Sequence, residues 1–171
     1  MIRAYTVEDG KLLRAEPSQP ELRSLVDRYE WLWVDFVDES IRVAEAVLQT
    51  ILGEPVDLAS SAAGPSPRFL REYTQVVFPL PVADSSGRPQ SLHLLLSSRL
   101  LATVRAEGNV ALSVIDQTLK TLANLASRVS VDLDVAFCRL LDELIDGNEA
   151  SLETARESAE KIERSAMTVE S

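Results

Sequence analysis

Apolar and polar positions alternate along most of the first 106 residues, with the period of two that is typical of β-strands. The pattern predicts six strands, at 2–7, 11–15, 31–37, 69–81, 90–97 and 99–106. Asp9-Gly10 suits a tight turn between the first two. A short helix is predicted at 21–29, and Asp38 is expected to cap a second helix at 38–52. We therefore expect an α/β (α+β) fold with a mixed sheet of about six strands flanked by helices.

After Gly108 the apolar period changes to about three and a half, which indicates amphipathic helices. A first series consists of Leu112, Ile115, Leu119, Leu122, Ala126 and Val129. A second series reaches almost to the end of the chain: Cys138, Leu141, Ile145, Asn148, Leu152, Ala155, Ala159, Ile162, Ala166 and Val169. These heptads predict one helix of about 35 residues and 50 Å that makes coiled-coil contacts. We expect its large residues to pack on the domain and its alanine-rich end to contact other helices, which divides the chain into 1–130 and 131–171.

Charge and composition narrow the classes of function. The net charge of −10 argues against nucleic-acid binding. The negative charge is concentrated after residue 141, where the sequence has nine acidic and three basic residues. One cysteine and one histidine exclude an intramolecular disulfide and a Cys/His metal cluster. The sequence also has no signal peptide and no apolar run long enough to span a membrane, so we expect a soluble, cytosolic chain.

The residues that could act in catalysis do not indicate an enzyme. His93 lies in an apolar strand, where a structural role on its polar face is favoured, and Cys138 is expected to be a small buried residue of the long helix. Trp31 and Trp33 are interpreted as core or interface aromatics. Glycine-rich phosphate loops and catalytic triads are absent from the sequence. We assign no catalytic and no cofactor-binding residue.

The remaining candidates for a functional site are acidic side chains. Asp142, Asp146 and Glu149 are spaced i, i+4 and i+7, which places them on one side of the long helix. Such a face can attract a hydrated divalent cation, although a solvated, self-repelling face is the favoured interpretation. Asp132 and Asp134, at the start of this helix, are expected to serve capping and the helix dipole. No metal ligand is assigned.

The order of short motifs resembles the N-terminal cytoplasmic domain of the CorA family of divalent-cation transporters, which includes related zinc transporters. The motifs are WVDF at 33–36, LGEPV at 52–56, PRFLREY at 67–73 with VVF at 76–78, ATVR at 102–105, and FCRLLD at 137–142 with Ile145 and Asp146. The resemblance covers roughly residues 30 to 165. Each motif is weak alone, and their order and spacing carry the likeness.

The resemblance implies a homopentamer in which α/β domains form a funnel and long stalk helices descend to a two-helix membrane pore. It implies a transported or regulatory divalent cation, Mg²⁺ or else Co²⁺ or Zn²⁺, and a place on the cytoplasmic side of the cell membrane. The membrane helices and the Gly-Met-Asn loop of the family would lie beyond Ser171.

One further feature of the sequence departs from the family pattern. The family's regulatory acids correspond to Ala59 and Ser60, and the nearby Asp57 does not match, so the usual regulatory metal site is not expected. The alternative is a stand-alone cytosolic scaffold or regulator that oligomerises through its acidic C-terminal helix.

Overall fold

The computed structural model describes residues 1–59, 68–83, 89–105 and 109–169. Its strands are β1 Ile2–Glu8, β2 Lys11–Ala15, β3 Leu32–Val37, β4 Arg68–Phe69, β5 Tyr73–Ala83, β6 Pro89–Ser97 and β7 Leu100–Arg105. Its helices are α1 Gln19–Arg28, α2 Ile41–Leu52, α3 Asn109–Ala126 and α4 Leu133–Val169. The α+β prediction is confirmed. The predicted strand at 69–81 was wrong at its start, because Leu70 donates its N–H to the Tyr73 carbonyl and this turn separates β4 from β5.

The strands form one mixed sheet in the order β2-β1-β3-β7-β6-β5-β4. Among the described strands, β3 and β7 are the parallel pair, with Val34 opposite Ala102 and Asp35 opposite Thr103, and the other neighbours are antiparallel. The centre of the sheet is therefore the contact between two strands that are more than 60 residues apart in the sequence.

The alternation along β3 divides the core into two layers. Leu32, Val34 and Phe36 are buried against α1 and α2. Trp33 faces the opposite side, where it belongs to the core formed with α3 and α4. Because successive strand residues point to opposite faces, one strand supplies both layers. This explains why all six residues of β3 are buried.

Local sequence signals set the ends of the elements. The turn at Asp9-Gly10 is confirmed, with φ of 50° and 72°, and a Cβ on Gly10 would lie 3.1 Å from the Ala126 carbonyl oxygen at the end of α3. The predicted cap of α2 was wrong: the Ser40 hydroxyl, and not Asp38, accepts the N–H of Val43 at 3.2 Å.

A buried polar network joins β3 to β7. The Arg105 guanidinium donates to the Asp35 carboxylate, with Nη2 to Oδ2 at 3.0 Å, and Asp35 is fully buried while Arg105 is 2% exposed. The Thr103 hydroxyl donates to Asp35 Oδ1 at 2.7 Å and accepts the Trp33 indole N–H at 3.0 Å. Four side chains on the two parallel strands are thus linked by hydrogen bonds, although Arg105 Nη1 is buried without a partner, and they favour the observed register of this pair.

The long C-terminal helix is confirmed, and its packing face differs from the prediction. α4 has 37 residues, about 55 Å at 1.5 Å per residue. Among the side chains of α4 from 133 to 161, the buried ones are Leu133, Ala136, Leu140 and Leu144. In the predicted stripe, Leu141 is half-buried, Cys138 is exposed, and Ile145 and Leu152 are 50% and 71% exposed. Both stripes have helical spacing. The buried stripe lies about 100° around the helix from the predicted one, on the side where α4 contacts α3 and the sheet.

The predicted first helical series also ends too late. α3 stops at Ala126, and Val129 lies beyond it with 54% of its surface exposed. Ile115, Leu122 and Ala126 are buried, as the spacing predicts.

Substitution of Asp35 by Asn should lower the free energy of unfolding by about 3–5 kcal/mol, because the Arg105 charge stays buried without its carboxylate. The measurement is urea denaturation of the 171-residue chain. The control is Glu16→Gln, which removes an exposed ion pair with Arg14 and should cost less than about 1 kcal/mol. Equal effects of the two substitutions would contradict the assigned importance of the network.

Candidate functional site

The acidic face of α4 is the first candidate site. Asp142, Asp146 and Glu149 are all exposed on one side of the helix. Arg139 pairs with Asp142 at 3.2 Å between Nη1 and Oδ2, and the side chains are 47% and 61% exposed. In the part of the chain that the structure describes, no group of three or more His, Cys, Asp or Glu residues is placed to hold a metal ion.

The two acids at the start of α4 serve the helix end. Asp132 Oδ1 accepts the backbone N–H of Val135 at 2.9 Å, which confirms the predicted cap. Asp134 lies in the first turn, where its negative charge interacts favourably with the helix dipole.

Residue His93 lies in β6 and is buried, with 8% of its surface exposed, so its predicted place on a polar face was wrong. It stands opposite Val104 of β7 and Val77 of β5, on the side of the sheet covered by α2. Its Nδ1 atom is buried without a hydrogen-bond partner. Burial lowers the pKa of His93 below its usual value, and the negative charge of Glu45 partly opposes this shift.

The carboxylate of Glu45 on α2 holds the segment that follows this helix. Its Oε1 atom accepts the backbone N–H groups of Leu58 at 2.7 Å and Ala59 at 3.1 Å. This role of Glu45 was not predicted, because an acid at a polar helix position carries no sequence signal of the backbone it contacts. Ala59 offers no carboxylate here, and Ser60 lies outside the described residues.

Both tryptophans are buried in the core, one of the two predicted roles, and both indole N–H groups donate hydrogen bonds. The Trp31 indole N–H donates to the Val131 carbonyl at 3.1 Å, which ties the start of β3 to the start of α4. Trp31 also lines an open cavity of about 610 Å³, together with Gly10, Arg128 and Asp132. The Trp33 ring lies 5.7 Å from that of Tyr5, measured between centroids.

In the part of the chain covered by the structure, none of the helices is both long enough and apolar enough to cross a membrane.

Replacement of His93 by Leu should reduce the pH dependence of stability below pH 6.5. Below pH 6.5 the imidazole of His93 binds a proton in the unfolded chain, whereas the buried imidazole of the folded chain stays neutral. The stability of the wild-type protein therefore falls as pH falls toward the lowered pKa. The slope difference is at most about 1.4 kcal/mol per pH unit, and urea denaturation from pH 5 to 7.5 measures it. Identical slopes for the two proteins would contradict the burial of a neutral His93.

Comparison with solved structures identifies the fold. The complete CorA magnesium transporter of Methanocaldococcus jannaschii matches with a TM-score of 0.67 and 14% identity, over 98% of this chain and 51% of that one. The soluble domain of the same protein matches with a TM-score of 0.63 and 13% identity, over 98% of this chain and 65% of that one. The ZntB cytoplasmic domain of Vibrio parahaemolyticus RIMD 2210633 matches with a TM-score of 0.61 and 12% identity, over 93% and 63%.

The comparison of sequences adds a family assignment. No curated protein matches the chain. The chain spans about half the length of the complete transporter whose fold it shares. The model of the family described as CorA-like Mg²⁺ transporter protein matches residues 29–171, well over half of the sequence. The chain belongs to the CorA-like Mg²⁺ transporter protein family.

Proposed function

We propose that the chain is the cytoplasmic regulatory domain of a CorA-like transport protein that carries magnesium, and that it forms part of a funnel that gates a membrane pore. The observation that carries this proposal is the family match over residues 29–171. The fold supports it, because 98% of the chain aligns with a transporter of which it covers only half. In this proposal the pore helices belong to the remaining half, and the domain lies on the inner side of the cell membrane.

Regulation by a divalent cation is part of the proposal. The exposed carboxylates of Asp142, Asp146 and Glu149 would attract hydrated Mg²⁺, which usually keeps several water ligands, or else Co²⁺ or Zn²⁺. The segment after α2 is less suited, because Ala59 has no ligand atom in its side chain and Glu45 is engaged by backbone N–H groups.

An enzymatic function is not proposed. His93 is buried on the α2 side of the sheet, whereas Cys138 is exposed on α4, which packs on the opposite side. A nucleophile and its general base must lie within hydrogen-bond reach of each other. These two residues cannot act as such a pair.

The proposed partner is a second copy of the chain, in a homopentamer. We expect the purified 171-residue chain to sediment as a monomer in EDTA and as a pentamer in about 10 mM MgCl₂, because a divalent cation offsets the repulsion among acidic domains. Sedimentation velocity makes the measurement, with KCl at equal ionic strength as the control. A stable oligomer in EDTA that ignores Mg²⁺ would instead favour a scaffold that assembles through its acidic helix.

A further inference from the structure

The two parallel strands at the centre of the sheet lead to helices on opposite faces. β3 is followed by α2, which packs in the same core layer as Phe36. β7 is followed by α3, which packs with Trp33 in the other layer. Where neighbouring parallel strands diverge in this way, a crevice forms beyond their carboxyl ends, and ligands of open α/β sheets bind there. The carboxyl ends of β3 and β7 are therefore a place to look for a ligand site.

Three charged side chains lie together at this end of the strands. We define Arg3, Asp35 and Arg105 as the switch-point cluster. Arg3 stands opposite Asp35 in the pairing of β1 with β3, and Arg105 is the last residue of β7. Because residues directly opposite each other on neighbouring strands point to the same face, Arg3 and Arg105 both adjoin the one carboxylate of Asp35. The cluster thus holds two positive charges and one negative charge.

The Arg105 guanidinium has a donor that the ion pair does not use. Its Nε and Nη2 atoms donate to the Asp35 carboxylate, at 3.2 Å to Oδ1 and 3.0 Å to Oδ2. Since these two nitrogens form one edge of the planar group, Nη1 points away from the carboxylate. Nη1 is buried without a hydrogen-bond partner, in a side chain that is only 1% exposed.

The half-buried Arg3 side chain has an unused donor as well. Its Nε atom is buried without a partner, and among the described residues no acidic side chain forms an ion pair with Arg3. Burial and the negative charge of Asp35 raise the pKa of Tyr5. The charges of Arg14 and Arg3 and a hydrogen bond from Arg3 partly oppose this shift. Arg3 and Asp35 therefore share one neighbourhood around the Tyr5 hydroxyl.

The other acids at this edge are engaged elsewhere or exposed. Glu39 pairs with the N-terminal amine of Met1, and Asp38 is exposed. The Asp38 backbone N–H donates to the Arg105 carbonyl at 3.0 Å, which ties the ends of β3 and β7 together. A buried charge costs free energy unless it is paired and hydrogen-bonded. Two buried guanidinium donors without partners, in a chain of net charge −10, therefore indicate a site for an anion.

We propose that the switch-point cluster binds a phosphate group, either as the free ion or as part of a phosphate ester. Arginine binds phosphate oxygens through charge-assisted N–H donors, and Arg3 Nε and Arg105 Nη1 are the donors that remain. Both α2 and α3 begin shortly after these strands end, so the positive ends of their dipoles favour an anion at the same edge. The inference rests on the side chains and the strand topology and is independent of which ion the protein transports.

The probes are inorganic phosphate and adenosine monophosphate, each titrated into the full 171-residue chain in EDTA without Mg²⁺. Two-dimensional NMR of the arginine Nε–H groups follows the two basic side chains directly. The signals of Arg3 and Arg105 should shift saturably, with half-saturation at about 1 mM or below for at least one of the probes. NaCl at equal ionic strength should not reproduce the shift, because it only screens charge. A shift that does not saturate, or that NaCl reproduces, would overturn the proposal.

Matched variants separate this site from general charge attraction. Arg3→Gln should weaken phosphate binding about tenfold or more in isothermal titration calorimetry, because it removes one of the two donors. Arg3→Lys, which keeps the charge and lacks the Nε donor, should also weaken it. Arg71→Gln makes the same charge change at a side chain that is 90% exposed, and its effect should stay below about twofold. Circular dichroism checks that each variant folds, and undiminished binding by both Arg3 variants would contradict the proposal.

The two probes also distinguish the sources of the phosphate group. Tighter binding of adenosine monophosphate assigns the site to a phosphate ester whose remaining atoms contact the protein as well. Tighter or equal binding of inorganic phosphate assigns it to the phosphate group alone. Both results support the proposal when Arg3→Gln weakens them. Binding of neither probe would overturn it, and the Mg²⁺-dependent assembly measured for the proposed function would stand or fall separately.

Discussion

The buried ion pair between Asp35 and Arg105 is the constraint on which the rest of the fold depends. It joins β3 and β7, the parallel strands at the centre of the sheet, and both charges are almost completely removed from water. A buried charge is tolerated when it is paired and hydrogen-bonded. Thr103 donates to the Asp35 carboxylate and accepts the Trp33 indole N–H, while Arg105 Nη1 is left without a partner. A shift in the register of β7 by one residue would bury both charges apart. The network therefore favours the alignment of β3 with β7, the strand pair whose two faces are covered by α1 and α2 on one side and α3 and α4 on the other.

The sequence made much of this fold predictable and left specific parts undetermined. The two-residue period predicted β1 and β3 to within one residue at each end, and Asp9-Gly10 predicted the turn of the first hairpin. These signals are local in the sequence. The parallel pairing of β3 with β7 is not local, and neither is the partnership of Asp35 with Arg105, 70 residues away. No spacing rule predicts such a contact from a single sequence.

The α4 helix shows the same limit more sharply. Two apolar stripes run side by side along it. The heptad pattern predicted that the stripe with Ile145 and Leu152 packs on the domain. The stripe with Leu140 and Leu144 is the one that packs, since α3 and the sheet meet α4 there. The heptad stripe was correctly located and wrongly assigned to the core. Similarly, Cys138 was expected to be buried and is exposed because it belongs to that outer side.

The candidate sites follow from this arrangement. The core contacts of His93 and the hydrogen bonds of Glu45 serve the fold, whereas Asp142, Asp146 and Glu149 of α4 remain exposed. The most direct test of the proposed function is ion flux through the complete protein that carries this chain, in liposomes loaded with a Mg²⁺-sensitive dye. A magnesium gradient should produce uptake that protein-free liposomes lack. Absence of flux for Mg²⁺, Co²⁺ and Zn²⁺ alike would contradict the assignment of this domain to a working cation transporter.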